Sequence, residues 1–283
     1  SLSIISGDGN MYLHIRVIDN AGNETIVHSN AFNMDNTPPN KPTFLPSTTL
    51  PTNQNVILTI DYSADSAIKQ YRLGTGAWEN YTGSLTITSN ETIYAKAVDE
   101  AGNTSTAEYK VTNIDKVPPV ITIGNYTTSP TNQNITVNAT TNEGTLNASS
   151  HTFTENGSFT FIATDPAGNV TKQTVNITNI DKTKPTIELS ASTTAPTNQD
   201  VIITAEIADN VGLASKKWAS GDQTVEYFAS GGNLLTGNAF TVTENGIYTV
   251  YAKDTAGNEQ TKTITISNID KTPPEQPIVI ADI

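Results

Sequence analysis

A five-residue pattern, Asp-x-Ala-Gly-Asn, recurs four times along these 283 residues, and its distance to a second marker never changes. The copies span Asp19–Asn23, Asp99–Asn103, Asp165–Asn169 and Asp254–Asn258. The second marker is Asn-Met-Asp or Asn-Ile-Asp, ending at Asp35, Asp115, Asp181 and Asp270. From each glycine to that aspartate the spacing is 13 (35−22, 115−102, 181−168, 270−257). The period itself varies, at 80, 66 and 89 residues (115−35, 181−115, 270−181). A third marker, Pro-Thr-Asn-Gln, starts at Pro51, Pro130 and Pro196, 16, 15 and 15 residues after the preceding linker aspartate. Each unit thus has fixed ends and a variable middle. Such a repeat has outer strands constrained by its neighbours and central loops free to grow.

The markers divide the chain into 1–35, 36–115, 116–181, 182–270 and 271–283. The first segment holds only the end of a unit, since Ser1-Leu2-Ser3-Ile4 echoes Ser84-Leu85-Thr86-Ile87. The last holds only a beginning, since Thr272–Pro277 echoes Thr37–Pro42. The expectation is a protein that continues in both directions.

Period-two alternation identifies the strands. The residues 9, 7 and 5 before each glycine are Leu13, Ile15, Val17; Ile93, Ala95, Ala97; Phe159, Phe161, Ala163; and Tyr248, Val250, Ala252. Beyond the turn, Tyr109 and Val111, Val175 and Ile177, and Ile264 and Ile266 alternate again, so each copy reads as a hairpin with glycine at positive φ. Val56-Leu58-Ile60, Ile135-Val137-Ala139 and Val201-Ile203-Ala205 alternate after the Pro-Thr-Asn-Gln marker, which reads as a turn. Pro-rich Thr37–Pro46 suits an edge strand, where a missing N–H does no harm. About seven short strands in 66 to 89 residues predict an all-β chain of tandem Ig-like β-sandwich domains in an elongated array.

Thr-Pro-Pro at the start of a unit, Asp-x-Ala-Gly-Asn in its last hairpin and Asp at its exit resemble bacterial Ig-like domains. The unit containing Tyr71–Trp78 is most similar to the subtype of Gram-positive surface proteins. The resemblance implies repeats of an adhesin stalk, an S-layer-associated protein or a multidomain secreted enzyme, and an extracellular location. The absence of cysteine fits a Gram-positive host better than a eukaryotic secretory one. No apolar run reaches 18 residues, so no membrane insertion is expected. Fifteen basic against 28 acidic residues, a net charge of −13, argue against nucleic acid and leave hard cations as partners for the carboxylates.

In an Ig-like sandwich the last hairpin turn sits at the pole where the previous domain's linker arrives. That places Asp35 near Asp99, Asp115 near Asp165 and Asp181 near Asp254, and the loop after the second strand adds Asp65, Glu143 and Asp209. Converging carboxylates favour a cation between them, and calcium accepts six to eight oxygens in loose geometry. Similar adhesin repeats use linker and hairpin aspartates this way. The competing reading makes each aspartate a plain turn cap that accepts the backbone N–H two residues on.

The remaining chemistry is sparse. His14 should face His28 across the first hairpin, read as a solvent-facing pair without a third ligand; His151 has no visible partner. Trp78 and Trp218 read as core aromatics, over a role in stacking on sugars. No Gly-x-Ser-x-Gly, His-Glu-x-x-His or phosphate loop is present, and no enzyme activity is expected. Three functions compete: a structural spacer, a module that binds a cell-wall or host glycan or protein, and accessory repeats of a secreted carbohydrate-active enzyme. Near-equal repeats favour the spacer, and the insertion Trp218–Gly237 is the first place to look for adhesion.

Overall fold

The computed structural model describes residues 7–276; the Ser1–Ile4 echo and Pro277 lie outside the described residues. The chain divides into two compact units. One holds the described residues through Val120 with Asn142–Thr145 and Ala163–Thr171; the other holds Ile121–Thr141, Leu146–Ile162 and the described residues from Lys172. Among the described residues, all the regular structure is strand apart from one 3-10 turn.

At the start of the first unit lie β1 (Gly9–Met11), β2 (His14–Ile18), β3 (Glu24–His28) and β4 (Phe32–Met34). Strands β2 and β3 form the expected hairpin with His14 opposite His28, and β1 pairs with β4. Leu13, Ile15 and Val17 stay exposed, because no partner sheet covers them among the described residues.

The segment 36–115 contributes β5 (Thr43–Pro46), β6 (Val56–Asp61), β7 (Ile68–Leu73), β8 (Glu79–Asn80), β9 (Leu85–Ile87), β10 (Glu91–Val98) and β11 (Thr104–Val111). They form two antiparallel sheets, β5-β6-β9 and β11-β10-β7-β8. The chain crosses between the sheets after β6, after β8 and after β9, so that each sheet mixes early and late strands in the Ig-like manner. Val56, Leu58 and Ile60 of one sheet and Ile93, Ala95 and Ala97 of the other meet in a closed core. The β-branched and aromatic residues at every second position bury one face and leave Lys, Thr and Glu on the other.

The same pattern returns twice. Strands β12 (Ile121–Ile123), β13 (Ile135–Thr141) and β15 (Ser150–Phe153) form one sheet, and β14 (Thr145–Leu146), β16 (Gly157–Thr164) and β17 (Val170–Ile177) another. In the second unit, β18 (Thr186–Ala191), β19 (Val201–Ala208) and β22 (Ala239–Val242) face β20 (Leu213–Ser220), β21 (Asn233–Leu234), β23 (Gly246–Asp254) and β24 (Glu259–Ile266). The fold is a series of Ig-like β-sandwiches.

One correction concerns the Pro-Thr-Asn-Gln marker. It is more than a turn, because Thr52, Thr131 and Thr197 bridge in parallel to Ile114, Ile180 and Ile269 of the Asn-Ile-Asp marker. Each bridge is flanked by backbone bonds, for example Thr52 N–H to Asn113 O (2.8 Å) and Asp115 N–H to Thr52 O (2.9 Å). The two markers form the closing edge of each sandwich, which is why neither can drift.

The insertion between β20 and β22 is likewise no open loop. Its 3-10 turn (Glu226–Ala229) drives Phe228 to 1% exposure, stacked on Tyr251 at 4.9 Å between ring centroids. The Lys217 ammonium donates to the carbonyls of Phe228 (2.7 Å) and Gly231 (3.2 Å) and ties the turn down. With Ala219 and Val225 these rings form a second small core. Among the described residues, no helix is long and apolar enough to cross a membrane.

Candidate metal centre

The Asp-x-Ala-Gly-Asn turn folds identically in all four copies. One carboxylate oxygen, Oδ1, accepts the Asn backbone N–H and the other accepts the Asn side-chain amide, as at Asp165 (both 2.8 Å from Asn169) and Asp254 (2.8 and 2.7 Å from Asn258). Asp19 and Asp99 repeat the pair with Asn23 and Asn103. The glycines take φ between 88° and 99°, a left-handed backbone that an L side chain would strain. Each hairpin aspartate therefore caps its turn, chiefly through the asparagine N–H four residues on.

The asparagine also reaches backwards. Its amide donates to the carbonyl of the preceding linker aspartate: Asn103 to Asp35 (2.9 Å), Asn169 to Asp115 (2.9 Å) and Asn258 to Asp181 (3.0 Å). A second strut runs the other way, from the backbone N–H of Asn53 to Ala167 O (3.0 Å) and of Asn132 to Ala256 O (2.9 Å). All three sequence markers thus meet at the two later junctions, and two of them meet at Asp35–Asn103. Sequence reasoning placed the aspartates there but missed the asparagines. The signal was available, because fixed spacing among three markers implies that all three touch.

Burial follows the junction. Asp99, Asp165, Asp181, Asn169, Asp254 and Asn258 are all below one-tenth exposed, whereas Asp19 and Asn23, which meet no linker aspartate among the described residues, are exposed. Burial pushes the Asp99 and Asp165 carboxyls up, yet the side-chain and backbone bonds from Asn103 and Asn169 outweigh it and hold both below the usual range. Asp181 is likewise held low: burial raises it, and the Thr183 N–H leads the groups that bring it down.

The three predicted carboxylate trios come out differently. Asp35, Asp65 and Asp99 line one hollow with Ser66 and Glu100, but among the described residues their oxygens do not converge. Asp115 caps its linker by accepting Val117 N–H (3.0 Å), and Glu143 lies in the turn before β14. There Gly144 abuts Thr164 and Asp165, again without convergence of the acidic oxygens. Asp181, Asp209 and Asp254 do converge, each offering one oxygen within 4.8 Å of the others. That is the span of a calcium shell, whose opposite oxygens lie about 5 Å apart.

Two atoms of this trio are unusual. Asp181 Oδ2 and Asp209 Oδ2 are buried without a well-formed hydrogen bond, the Asn210 and Thr183 side chains only approaching the Asp181 carboxylate, while their Oδ1 partners cap Thr183 N–H (3.1 Å) and Val211 N–H (2.9 Å). An anionic oxygen removed from water without a partner is costly. A hard cation would supply what these atoms lack, and an Asp254 oxygen lies within reach of the same point. The donor set, all oxygen, fits calcium and not a soft metal.

The other flagged side chains sort clearly. The Nδ1 atoms of His14 and His28 face each other on the exposed hairpin. His151 stacks on Phe159 (3.9 Å, 10°). Trp218 stacks on Phe240 (4.2 Å) against the core, as expected. Trp78 does not join the core of its sandwich; it lies half-buried with Arg72 and Lys96 over its ring.

No family model and no curated protein matches the chain. Among solved structures, a tetra-tandem repeat in the extending region of a large adhesion protein is 19% identical over 94% of this chain and 82% of its own, with a TM-score of 0.30. The N-terminal eight Ig domains of Down Syndrome Cell Adhesion Molecule are 14% identical over 93% of this chain and 44% of theirs (TM-score 0.37). A Bacteroides ovatus protein of a mixed-linkage glucan utilization locus, solved with a mixed-linkage heptasaccharide, is 16% identical over 82% of this chain and 71% of its own (TM-score 0.21). The Ig-like assignment rests on the strand order and the paired cores described above.

Proposed function

We propose that the chain is a non-catalytic spacer of a cell-surface or secreted bacterial protein, its repeats fastened end to end and one junction stiffened by calcium. The observation that carries the reading is the repeated clasp. At Asp35–Asn103, Asp115–Asn169 and Asp181–Asn258 the same amide-to-carbonyl bond ties a linker to the next hairpin turn. A chain selected for catalysis or for one ligand has no need to rebuild the same joint three times; a stalk does. The lack of cysteine and the resemblance to Gram-positive surface repeats support an exported protein of that origin.

Calcium enters at Asp181, Asp209 and Asp254, where it would satisfy Asp181 Oδ2 and Asp209 Oδ2. Bound there, it would join the linker, the loop after β19 and the hairpin turn after β23, and so favour the docked joint by RT ln(1 + [Ca²⁺]/Kd). The test is small-angle scattering on the whole chain with calcium and again after chelation. A longer, narrower distance distribution with calcium, lost in the Asp181→Asn, Asp209→Asn variant, supports the reading. Profiles that coincide in all three states refute it.

A further inference from the structure

The outward face of sheet β11-β10-β7-β8 distinguishes segment 36–115 from its sister repeats. Tyr94 and Lys96 alternate with the buried Ile93, Ala95 and Ala97, and so point away from the core; Arg72 is opposite Tyr94 in the register and Gln70 opposite Lys96. The Arg72 guanidinium lies over two rings, 4.6 Å from the Tyr94 centroid and 5.1 Å from that of Trp78. The Lys96 ammonium is 4.7 Å from the same indole centroid. In the first hairpin the glycine-aligned residues are His14 and Arg16, with Arg16 paired to Glu24, and the two other complete repeats carry none of this. Their aligned residues are Thr160 and Ile162 in one and Thr249 and Tyr251 in the other, where Tyr251 is already covered by Phe228 of the insertion.

Charge then selects the occupant. In a chain of net charge −13, neither Arg72 nor Lys96 has an ion-pair partner among the described residues, and Arg72 Nε is buried without a hydrogen-bond acceptor. Glu108, opposite Tyr94 on the far strand, is the carboxylate that flanks this stripe. Rings hold the guanidinium plane in place, which prepares its fork for a carboxylate, and the half-buried indole that carries both cations sets an apolar wall beside them for the sugar ring. We propose that Arg72, Trp78, Tyr94 and Lys96 form a binding site for an acidic saccharide, a sugar unit bearing a carboxylate. The site is independent of the calcium joint.

The test is titration calorimetry of the whole chain at about 150 mM salt, where long-range charge effects are screened. Three ligands are compared: trigalacturonic acid, a neutral trisaccharide such as maltotriose, and a penta-glutamate peptide. The site predicts binding of trigalacturonic acid alone, weakened at least about tenfold by Arg72→Gln and by Trp78→Ala. Arg72→Lys, which keeps charge and loses the fork, should fall between. Glu206→Gln, an exposed position on β19 outside this stripe, should change nothing. Unchanged melting of each variant shows that the fold survives. Failure to bind trigalacturonic acid, equal binding of penta-glutamate, or indifference to Arg72→Gln each overturns the proposal.

Discussion

The side-chain amide of Asn258 bonds at once to the carboxylate of Asp254 and to the backbone carbonyl of Asp181, 77 residues earlier in the chain. One amide with two hydrogens therefore serves two levels of structure, the local turn and the joint between repeats. Among the described residues, the same asparagine in the first hairpin, Asn23, bonds only within its turn and is exposed.

That contrast gives the first prediction. Asn258→Ala removes two bonds at a buried site and leaves an Asp254 oxygen and the Asp181 carbonyl short of donors. A loss of about 1–3 kcal/mol is expected by denaturant unfolding. Asn23→Ala, with water at hand, should cost well under that. Equal costs would mean that the backward bond to the linker contributes nothing.

Acid should loosen the joints. Asp99, Asp165 and Asp181 are held below the ordinary carboxylate range in the folded chain, so each contributes stability above its unfolded value of about 3.9. That contribution is lost as pH falls through the lower folded values. Melting temperature should stay level from pH 7 to about 5 and then drop steeply below about 4. Asp165→Asn should flatten the acid limb and lower the neutral plateau.

How much of this was legible beforehand depends on the residue. The buried stripes Val56-Leu58-Ile60 and Val201-Ile203-Ala205 were readable because one sheet face excludes water and the period is two. Asp181 and Asp254 could be placed together because a fixed spacing requires a fixed contact. Two things were hidden. Trp78 left the core because Tyr71, Tyr81 and Tyr109 pack against it and two cations hold the indole outside, which no spacing records. The insertion closed on itself because Phe228 found Tyr251, a pairing between segments with no shared period.

Glycines at the turns separate strain from collision. At Gly144 a Cβ would sit 2.3 Å from the Thr164 carbonyl oxygen and 2.7 Å from Asp165 Cα, with φ at +71°. At Gly102 it would meet nothing within 4 Å, and only the φ of +94° penalises it. Gly144→Ala should therefore destabilise by about 3 kcal/mol or more, and Gly102→Ala by about 1–2. Comparable thermal shifts for the two would contradict the packing at Asp165.

Truncating Phe228 to alanine should cost about 3–5 kcal/mol if the insertion is a cooperative part of its sandwich. Chemical denaturation of the variant, followed by Trp218 fluorescence, reports on that sandwich. A shift near zero would make the insertion an independent flap.

A hard cation held by Asp181, Asp209 and Asp254 is what would stiffen the joint between the last two repeats. Calorimetric titration of the calcium-stripped chain with calcium chloride tests it directly. The account predicts a saturable site that raises the melting temperature and is abolished by Asp209→Asn, while Asp65→Asn leaves it intact. Absence of binding heat together with unchanged melting, or a site that survives Asp209→Asn, would contradict it.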